Sequence, residues 1–307
     1  MSHGKRWLEI DVIRGMCIIG IIFLHMTAYF LSPNLMSYNS FKLNLLINQF
    51  VRFTLPLFLF FSGFGLALGY KGDSLRDFFA RRLKSVVVPY LVWSLIYFFF
   101  ALMVLKRVPF RGGMVNLAGS GLTWVDLVRE FAINLLFGWN YVHLYFVFLI
   151  VQFYIIFPFA YKWLAGVRKP GRFLLGMTVV YLVYLVFVAY YRKYINIPYL
   201  TFYYKYYWEL APSWFFYFFT GILAALHFPR FREISEKYEG LFAMLFIITS
   251  GLVLGETWYR VFIQHQGVAV LTSLRPTVFL NTLVFIFFLF PLGRRMLKMK
   301  LGKMFIF

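Results

Sequence analysis

Long apolar runs separated by short polar stretches dominate the pattern of hydrophobic and polar positions along this chain. A membrane-crossing helix needs about 20 mainly apolar residues. The runs long enough to cross cover residues 12–31, 46–69, 86–105, 142–160, 173–191 and 240–258. Two shorter runs of the same kind are 213–228 and 277–292, and 131–141 is short enough to be a re-entrant segment. The pattern predicts an all-α polytopic membrane protein with about eight transmembrane helices.

The first apolar run has one feature of a secretory signal peptide, because Lys5 and Arg6 precede it. Two other features argue against cleavage. The run contains Arg14 and His25, and residues 32–35 after it lack the small-x-small pattern of a cleavage site. We therefore expect this run to be retained as the first transmembrane helix.

Lysine and arginine outnumber aspartate and glutamate by 31 to 11, which gives a formal net charge of +20. In a soluble protein this excess would suggest nucleic-acid binding, whereas in a membrane protein the positive-inside rule is the competing explanation. If the N-terminus is cytoplasmic, the inner segments carry almost twice as many Lys and Arg residues as the outer ones. We therefore predict a cytoplasmic N-terminus and no nucleic-acid partner.

Cysteine and histidine usage excludes several kinds of site. A single cysteine, Cys17, can form neither an internal disulfide nor a cysteine-based zinc site. The five histidines lack the spacings of a zinc-binding helix, and the chain has no Gly-x-x-x-x-Gly-Lys-Ser/Thr phosphate loop. The sequence therefore predicts neither a bound metal nor ATP-driven transport by this chain.

Two ionisable residues, Arg14 and His25, lie inside the first apolar run. An arginine near the bilayer centre costs about 2.5–3.5 kcal/mol on a translocon-type scale, so such residues usually face a protein interior and indicate function. Their spacing places both on one helix face, about 16 Å apart along the axis. Asp11 is close enough to pair with Arg14. The alternatives are that Arg14 snorkels to the inner interface and that His25 is a hydrogen-bonded packing residue.

A third ionisable residue, Arg52, is predicted at the depth of His25. Counting from the helix ends places His25 about 9 Å below the outer membrane edge, and Arg52 of the second helix at a similar depth. Gln49 lies one turn above Arg52, where it can add a hydrogen bond. The sequence thus predicts a site that joins His25 and Arg52 in the outer half of the membrane, with Arg14 in the inner half.

Two further segments carry candidate chemistry. Arg81, Arg82 and Lys84 lie at the predicted cytoplasmic mouth of the third helix. They fit a positive-inside anchor, or a clamp for an anionic cytosolic ligand, since guanidinium groups bind phosphate through paired hydrogen bonds. The aromatic-rich outer segment 191–214 fits an interfacial belt, and a minority of its rings can stack on a sugar whose hydroxyl group is bound by Glu209.

Together these motifs resemble the acyltransferase 3 family of integral membrane acyltransferases, which includes bacterial O-acetylases of polysaccharides. The most specific motif is the first-helix pattern of Arg14, ten residues and His25. The other matching segments are 56–64 with Ser62 and Gly63, the basic run before Pro89, and the segments that begin at His143 and Trp214. The resemblance extends from about residue 8 to residue 290.

The resemblance implies a single integral membrane acyltransferase domain over residues 1–307, in a bacterial inner or plasma membrane. It implies acyl-CoA, usually acetyl-CoA, as a donor substrate with no bound cofactor, and a carbohydrate or glycolipid hydroxyl as the acceptor. The family's Arg-x-x-Arg before the third-helix proline is only approximately matched, with Lys84 nearest the second arginine. Because family members commonly continue beyond the position of Phe307, we expect the terminal family helices to be missing from this chain.

The expected catalytic residues are His25, as a general base toward a sugar hydroxyl, Arg52, as a stabiliser of the oxyanion, and Arg14. Donor binding is expected from Arg14, Arg82 and Lys84. The expected supporting residues are Asp11, Gln49, Ser62 and His143. Two other functions stay open, because fold does not fix function: a transporter or flippase for polysaccharide or lipid-linked sugar, and a structural subunit of a polysaccharide synthase.

Overall fold

The computed structural model describes residues 8–31, 37–72, 74–110, 113–118, 121–141, 143–191 and 201–299, most of which are helical. The helices are α1 (Leu8–Tyr29), α2 (Tyr38–Phe50), α3 (Thr54–Gly69), α4 (Leu75–Arg82), α5 (Val88–Met103), α6 (Trp124–Phe137), α7 (Tyr145–Ala165), α8 (Pro170–Val186), α9 (Thr201–Tyr206), α10 (Phe215–Leu226), α11 (Phe228–Lys237), α12 (Glu239–Trp258) and α13 (Pro276–Lys298). Two short strands, β1 (Arg107–Phe110) and β2 (Gly113–Asn116), pair antiparallel.

Within the described residues, seven helical segments are long and apolar enough to cross a membrane. They are Leu8–Tyr29, Tyr38–Gly69, Leu75–Met103, Tyr145–Ala165, Pro170–Tyr191, Glu239–Ile263 and Pro276–Lys298. The shorter apolar helix α10 brings the total to the predicted number of about eight. The prediction of an all-α polytopic membrane protein is therefore confirmed, and the cytoplasmic N-terminus stays a prediction.

Two segments differ from, or fall outside, what the sequence pattern predicted. Residues 131–141 form the second half of α6 and the turn after it, so they extend a helix that begins at Trp124. Capping defines that beginning, because the Thr123 hydroxyl and the Asp126 carboxylate each accept a hydrogen bond from the other's backbone N–H.

The prediction about missing terminal helices concerns the chain around Phe307, which lies outside the described residues.

A proline explains the break between α2 and α3. Pro56 has no N–H, so the carbonyl group of Arg52, four residues earlier, has no helical donor. The chain forms a 3-10 turn over Val51–Phe53, and the Ser273 hydroxyl donates to the Arg52 carbonyl oxygen at 3.4 Å. Arg52 therefore lies at an irregular turn inside a long membrane-crossing segment.

The helices group into two compact units, and the first contains Met1–Leu68, Leu164–Pro198 and Trp214–Phe307. In this unit α12 packs along α13, α1 packs on α2 and α13, and α8 contacts α10 and α13. The core is rich in phenylalanine. Its fully buried rings include Phe60, Phe64, Phe216, Phe218 and Phe279.

Two glycines allow a close approach between α3 and α10 in the first unit. A methyl group added to Gly63 would overlap the carbonyl oxygen of Phe218, and one added to Gly221 would overlap the carbonyl oxygen of Phe60. Small residues permit such backbone contacts between membrane helices, where the lipid gives little hydrophobic drive for association. The glycine of the Ser62-Gly63 motif therefore serves helix packing.

The second unit contains Gly69–Trp163 and Tyr199–Ser213. The β1–β2 hairpin, which the apolar pattern did not predict, pairs Val108 with Val115. Val108 packs with Phe98 of α5 and Leu127 of α6 in a small core. Asn134 of α6 fastens this arrangement, because its Nδ2 donates to the carbonyl oxygen of Pro109 at 2.6 Å. The expectation of a single domain over the whole chain stays a prediction.

Replacing Gly221 by Ala should lower the free energy of unfolding by about 1–3 kcal/mol, because the added methyl group forces α3 and α10 apart. The matched control is Gly251→Ala in α12, where an added methyl group meets no atom within 4 Å. Thermal unfolding of both variants in detergent measures the difference. Equal stability of the two variants would contradict the close α3–α10 contact.

Candidate active site

The predicted site residues fall into both units. Asp11, Arg14, His25, Gln49, Arg52 and Ser62 belong to the first unit, and Arg82, Lys84 and His143 belong to the second. Each group is described within its own unit. Among the described residues, no three His, Cys, Asp or Glu side chains are grouped closely enough to hold a metal ion.

Arg14 extends from α1 onto the backbone of α3. Its Nη2 donates to the carbonyl oxygen of Phe61 at 3.4 Å, and it lies so close to Gly65 that a methyl group on that glycine would overlap it. Asp11 lies one helical turn before Arg14, and both residues are half-buried. A glycine on α3 thus provides the space in which the guanidinium group reaches a carbonyl acceptor.

His25 is half-buried on a turn of α1 that is fastened to α2. Asn48 of α2 donates through Nδ2 to the carbonyl oxygen of Leu24 at 2.9 Å and to the Thr27 hydroxyl at 3.0 Å. Asn48 is fully buried, so these bonds form away from water, where an unsatisfied amide would be costly. Asn48 is not among the residues predicted from the sequence, although a polar residue one position before Gln49 in an apolar run is a usable signal.

Arg52 is joined to the same turn through Asn48. Its Nη2 donates to Asn48 Oδ1 at 2.8 Å, and Gln49 Nε2 donates to the same oxygen at 2.9 Å. One amide therefore connects the helical turn of His25 to the guanidinium group of Arg52. The predicted equal depth of His25 and Arg52 in the membrane and their catalytic roles stay predictions.

A buried ion-pair cluster continues from Gln49. Gln49 Oε1 accepts from Arg275 Nη2 at 2.7 Å, and Arg275 Nη1 lies 3.1 Å from Glu256 Oε2. The other oxygen of Glu256 accepts from Arg260 Nε at 2.7 Å, and the Thr277 hydroxyl also donates to this carboxylate. The sequence pattern places both Arg260 and Arg275 in the predicted outer segment before the last apolar run. Their partner, Glu256, was detectable as the one acid near the end of an apolar run, four residues before Arg260.

The connected hydrogen bonds and ion pairs that extend from the Leu24 carbonyl oxygen to Arg260 neutralise and hydrogen-bond a buried charge. Arg275 is only 1% exposed, and a charge removed from water needs both a counter-ion and hydrogen-bond partners. Glu256 supplies the counter-ion, and Gln49 and the Thr272 carbonyl oxygen accept two further N–H bonds. Arg275 in turn orients Gln49, and Gln49 and Arg52 share Asn48.

Two of the three predicted donor-binding residues, Arg82 and Lys84, lie at or next to an irregular turn of the second unit. The chain forms a π-helical turn at Leu83–Val87, between α4 and α5. The guanidinium group of Arg82 lies 5.6 Å from the ring centres of both Phe78 and Tyr154, and its buried Nε has no hydrogen-bond partner among the described residues. The two rings therefore restrain the guanidinium group of Arg82, whose Nε–H remains available as a donor. Lys84 is exposed on the same π turn.

Two predicted supporting residues have local partners. The Ser62 hydroxyl donates to the carbonyl oxygen of Phe58 in its own helix at 2.9 Å. His143 forms edge-to-face contacts with Tyr97 and Tyr141, with ring centres 5.0 and 5.3 Å away. Partial burial lowers the pKa of His143 below its ordinary value, so the neutral ring is favoured.

Glu209 is a buried acid of the second unit, at 2% exposure. Trp139 Nε1 donates to its Oε2 at 2.9 Å, and the indole is stacked between Phe137 and Tyr206. Gln152 of α7 fixes the segment, because it donates to the Glu209 carbonyl oxygen and accepts from the Ala211 N–H, both at 3.0 Å. Burial raises the pKa of Glu209 to about 7, although the Trp139 hydrogen bond acts in the opposite direction.

Replacing Glu256 by Gln should lower the free energy of unfolding by about 3 kcal/mol, because it leaves Arg275 buried without a counter-ion. Glu233→Gln, at an exposed acid on α11, is the matched control. The double variant Glu256→Gln with Arg275→Met should lose less than the sum of the two single variants, because the cation is removed as well. Additive losses in thermal unfolding would contradict the pairing.

Replacing Glu209 by Gln should remove a pH dependence of stability. The folded state binds the Glu209 proton more tightly than the unfolded state, so this contribution is greatest below about pH 4.5 and falls as the pH rises to about 7. The total loss should be at most about 3 kcal/mol, and Glu209→Gln should lack it. Unfolding midpoints between pH 5 and pH 8 measure the effect, and parallel profiles for wild type and variant would rule out the raised pKa.

Comparison with known proteins identifies the family. Residues 7–305 match the model of the acyltransferase 3 family, which is described as an acyltransferase domain. Over 259 residues the chain is 24% identical to the protein named "Putative membrane-bound acyltransferase YfiQ" of Bacillus subtilis (strain 168). This match covers 83% of the chain and 64% of the relative, so the chain spans less than two thirds of that relative's length. No solved structure matches the chain. Because the family model covers nearly every residue, the chain belongs to the acyltransferase 3 family.

Proposed function

We propose that this protein is a membrane O-acyltransferase of the bacterial plasma membrane. It moves an acyl group, with acetyl as the first candidate, from cytosolic acyl-CoA to a hydroxyl group of a cell-surface or lipid-linked carbohydrate. The observation that carries the proposal is the pairing on one amide: Asn48 fastens the helical turn of His25 and accepts a hydrogen bond from Arg52. A base and a cation held at one level of a membrane protein are the two groups that acyl transfer to a hydroxyl needs.

In the proposed reaction, neutral His25 accepts the proton of the attacking hydroxyl group. The hydroxyl oxygen forms a bond to the thioester carbonyl carbon, and the negative charge that develops on the carbonyl oxygen is stabilised by Arg52. The carbon–sulfur bond then breaks, and the proton passes from His25 to the departing CoA thiolate. Anchoring through Asn48 limits the reorientation of Arg52 during these steps, which is what preorganised charge stabilisation requires.

Binding of the acyl-CoA donor is assigned to cations that lie toward the predicted cytoplasmic side. Arg82 is restrained by two aromatic rings and has an unused N–H, so it can bind a phosphate group with little loss of side-chain entropy. Lys84, exposed on the π turn, adds a second cation without the planar fork of an arginine. Arg14 contacts the phosphate end of the pantetheine arm in this proposal, and the arm extends over the roughly 16 Å between Arg14 and His25.

Recognition of the acceptor is assigned to the aromatic surroundings of Glu209. Sugar rings stack on flat aromatic side chains, and Trp208 is partly exposed next to Glu209. A carboxyl group with a pKa of about 7 is present in both protonation states near neutral pH, so it can donate to or accept from a sugar hydroxyl. The Gln152 contacts hold this acid in place while the ligand binds.

The test is His25→Ala in a correctly inserted protein, with Met26→Ala, a neighbour that is 58% exposed, as the control. Loss of a positioned base should lower the rate of acyl transfer about 10²–10⁴-fold, whereas Met26→Ala should keep the wild-type rate. Mass spectrometry of glycans after incubation of membranes with labelled acetyl-CoA measures the transfer.

Near-normal transfer by His25→Ala would remove the base assignment. The transporter alternative is judged in the same preparation, because acyl-CoA cleavage that requires an acceptor identifies an enzyme. Movement of lipid-linked sugar across vesicles without any acyl-CoA would identify a flippase instead.

A further inference from the structure

A cavity of about 470 Å³ lies in the first unit, at the start of α8 and beside α10 and α11. None of the residues proposed for acyl transfer lines it. Its charged lining residues are exposed, whereas its larger apolar lining residues, such as Leu223, Phe231 and Phe287, are buried or half-buried. The cavity therefore has a charged rim and an apolar interior.

Four cations form the rim, and no acid does. They are Arg168, Lys169, Arg172 and Arg230. The cavity lining includes His227 but no aspartate or glutamate. Several positive charges around a space without a carboxylate create a local field that favours an anion.

Cations just outside the cavity are neutralised, which makes the rim different from an ordinary basic surface. Arg232 and Arg294 both pair with Glu236, at 2.8 and 2.6 Å. Arg295 pairs with Glu239 at 2.6 Å. Glu236 and Glu239 are thus used by the outer cations. The rim cations keep their charge available for a ligand.

The start of α8 adds to the positive field of the rim. α8 begins at Pro170, and Lys169 at its N-cap position provides no side-chain hydrogen bond to the first turn. The N–H groups of a first turn carry partial positive charge and bind phosphate or carboxylate well. Here they lie at a cavity that two neighbouring arginines also line.

Thr220 is an independent sign of a ligand inside the cavity. This residue lines the cavity at only 3% exposure, and its hydroxyl oxygen has no hydrogen-bond partner among the described residues. An unsatisfied buried hydroxyl group costs about 1–3 kcal/mol, so proteins seldom retain one without a partner. A polar atom of a bound ligand would supply that partner.

We propose that this cavity binds an anionic phospholipid, with the phosphate group at the four-cation rim and an acyl chain along the apolar interior. Inorganic phosphate would leave the apolar wall uncovered, and a nucleotide would place a polar ring system against it. Lipid also has lateral access, because α8 is a membrane-crossing helix whose Leu175 and Val179 are exposed. This site is separate from the proposed acyl-transfer residues and goes beyond that function.

The experiment measures binding of dioctanoyl phosphatidic acid to the purified full chain in uncharged detergent, by native mass spectrometry. The test variant replaces Arg168, Arg172 and Arg230 together by Gln. The control variant replaces three exposed cations outside the cavity, Arg76, Lys237 and Lys298, by Gln, so both variants lose the same charge. Uncharged dioctanoylglycerol, inorganic phosphate and adenosine 3′,5′-bisphosphate are the comparison ligands.

Wild type and the control variant should bind dioctanoyl phosphatidic acid equally, and the test variant should bind it about tenfold or more weakly. Equally weakened lipid binding in both variants would show that the effect comes from net charge alone, and it would overturn the proposed site. Equally tight binding of dioctanoylglycerol would overturn the phosphate contact. Inorganic phosphate or the nucleotide binding as tightly as the lipid would overturn the lipid assignment.

Two single substitutions keep the proposal falsifiable if the test variant unfolds. Thr220→Val removes the unpartnered hydroxyl group with little change in volume, so it should weaken lipid binding without lowering the melting temperature. Gly171→Trp places a large side chain at the cavity, where an added Cβ meets no atom within 4 Å, and should block binding in a folded protein. Normal lipid binding by both would refute the site. No acyl donor is present, so the outcome is independent of acyl transfer.

Discussion

Charge inside an apolar helical protein must be neutralised and hydrogen-bonded, and one connected set of contacts meets this need in the first unit. Glu256 is the counter-ion of Arg275 and Arg260, Arg275 orients Gln49, and Gln49 shares Asn48 with Arg52. Three contacts of this set join different segments: Glu256 to Arg275, Gln49 to Arg275, which are 226 positions apart, and Asn48 to the Leu24 carbonyl oxygen. The relative positions of α1, α2, α12 and α13 therefore depend on this set, and so does the placement of His25 and Arg52.

The sequence predicts features that depend on neighbouring residues better than contacts between residues far apart in the chain. Apolar runs predicted the membrane helices, because crossing hydrocarbon imposes length and composition on each helix separately. Residue counting along two adjacent helices also predicted Arg52 near the level of His25, and Asn48 connects Arg52 to the turn that contains His25. The buried pairing of Arg275 with Glu256 did not, since charge counts cannot separate an interfacial arginine from a buried one. The β1–β2 hairpin was missed because its strands are short and Pro109 interrupts the first.

The family motifs contain two kinds of residue, which their contacts in the structure distinguish. Gly63 and Gly221 bring two helix backbones together, and Gly65 makes room for the guanidinium group of Arg14. These glycines act through the absence of a side chain. Arg14 and His25 of the first-helix motif, and Arg52 outside the motifs, carry groups that are expensive to place among apolar helices. A motif match alone assigns the same weight to both kinds, whereas contacts distinguish a packing glycine from a candidate for chemistry.

The many cations of this chain also fall into groups that their contacts distinguish. A cation that pairs with a nearby acid, as Arg232 does with Glu236, is explained by that acid. One that lies in the predicted inner segments without an acid is first explained by topology, since the positive-inside rule requires no specific contact. A further explanation is needed only where unpaired cations surround a cavity with a buried polar atom that lacks a partner. Arg168 and Arg230 meet that criterion with Thr220, and Arg82 is a separate case, because its own buried Nε lacks a partner among the described residues. Net charge alone could single out neither place, because the distinction lies in which charges already have partners.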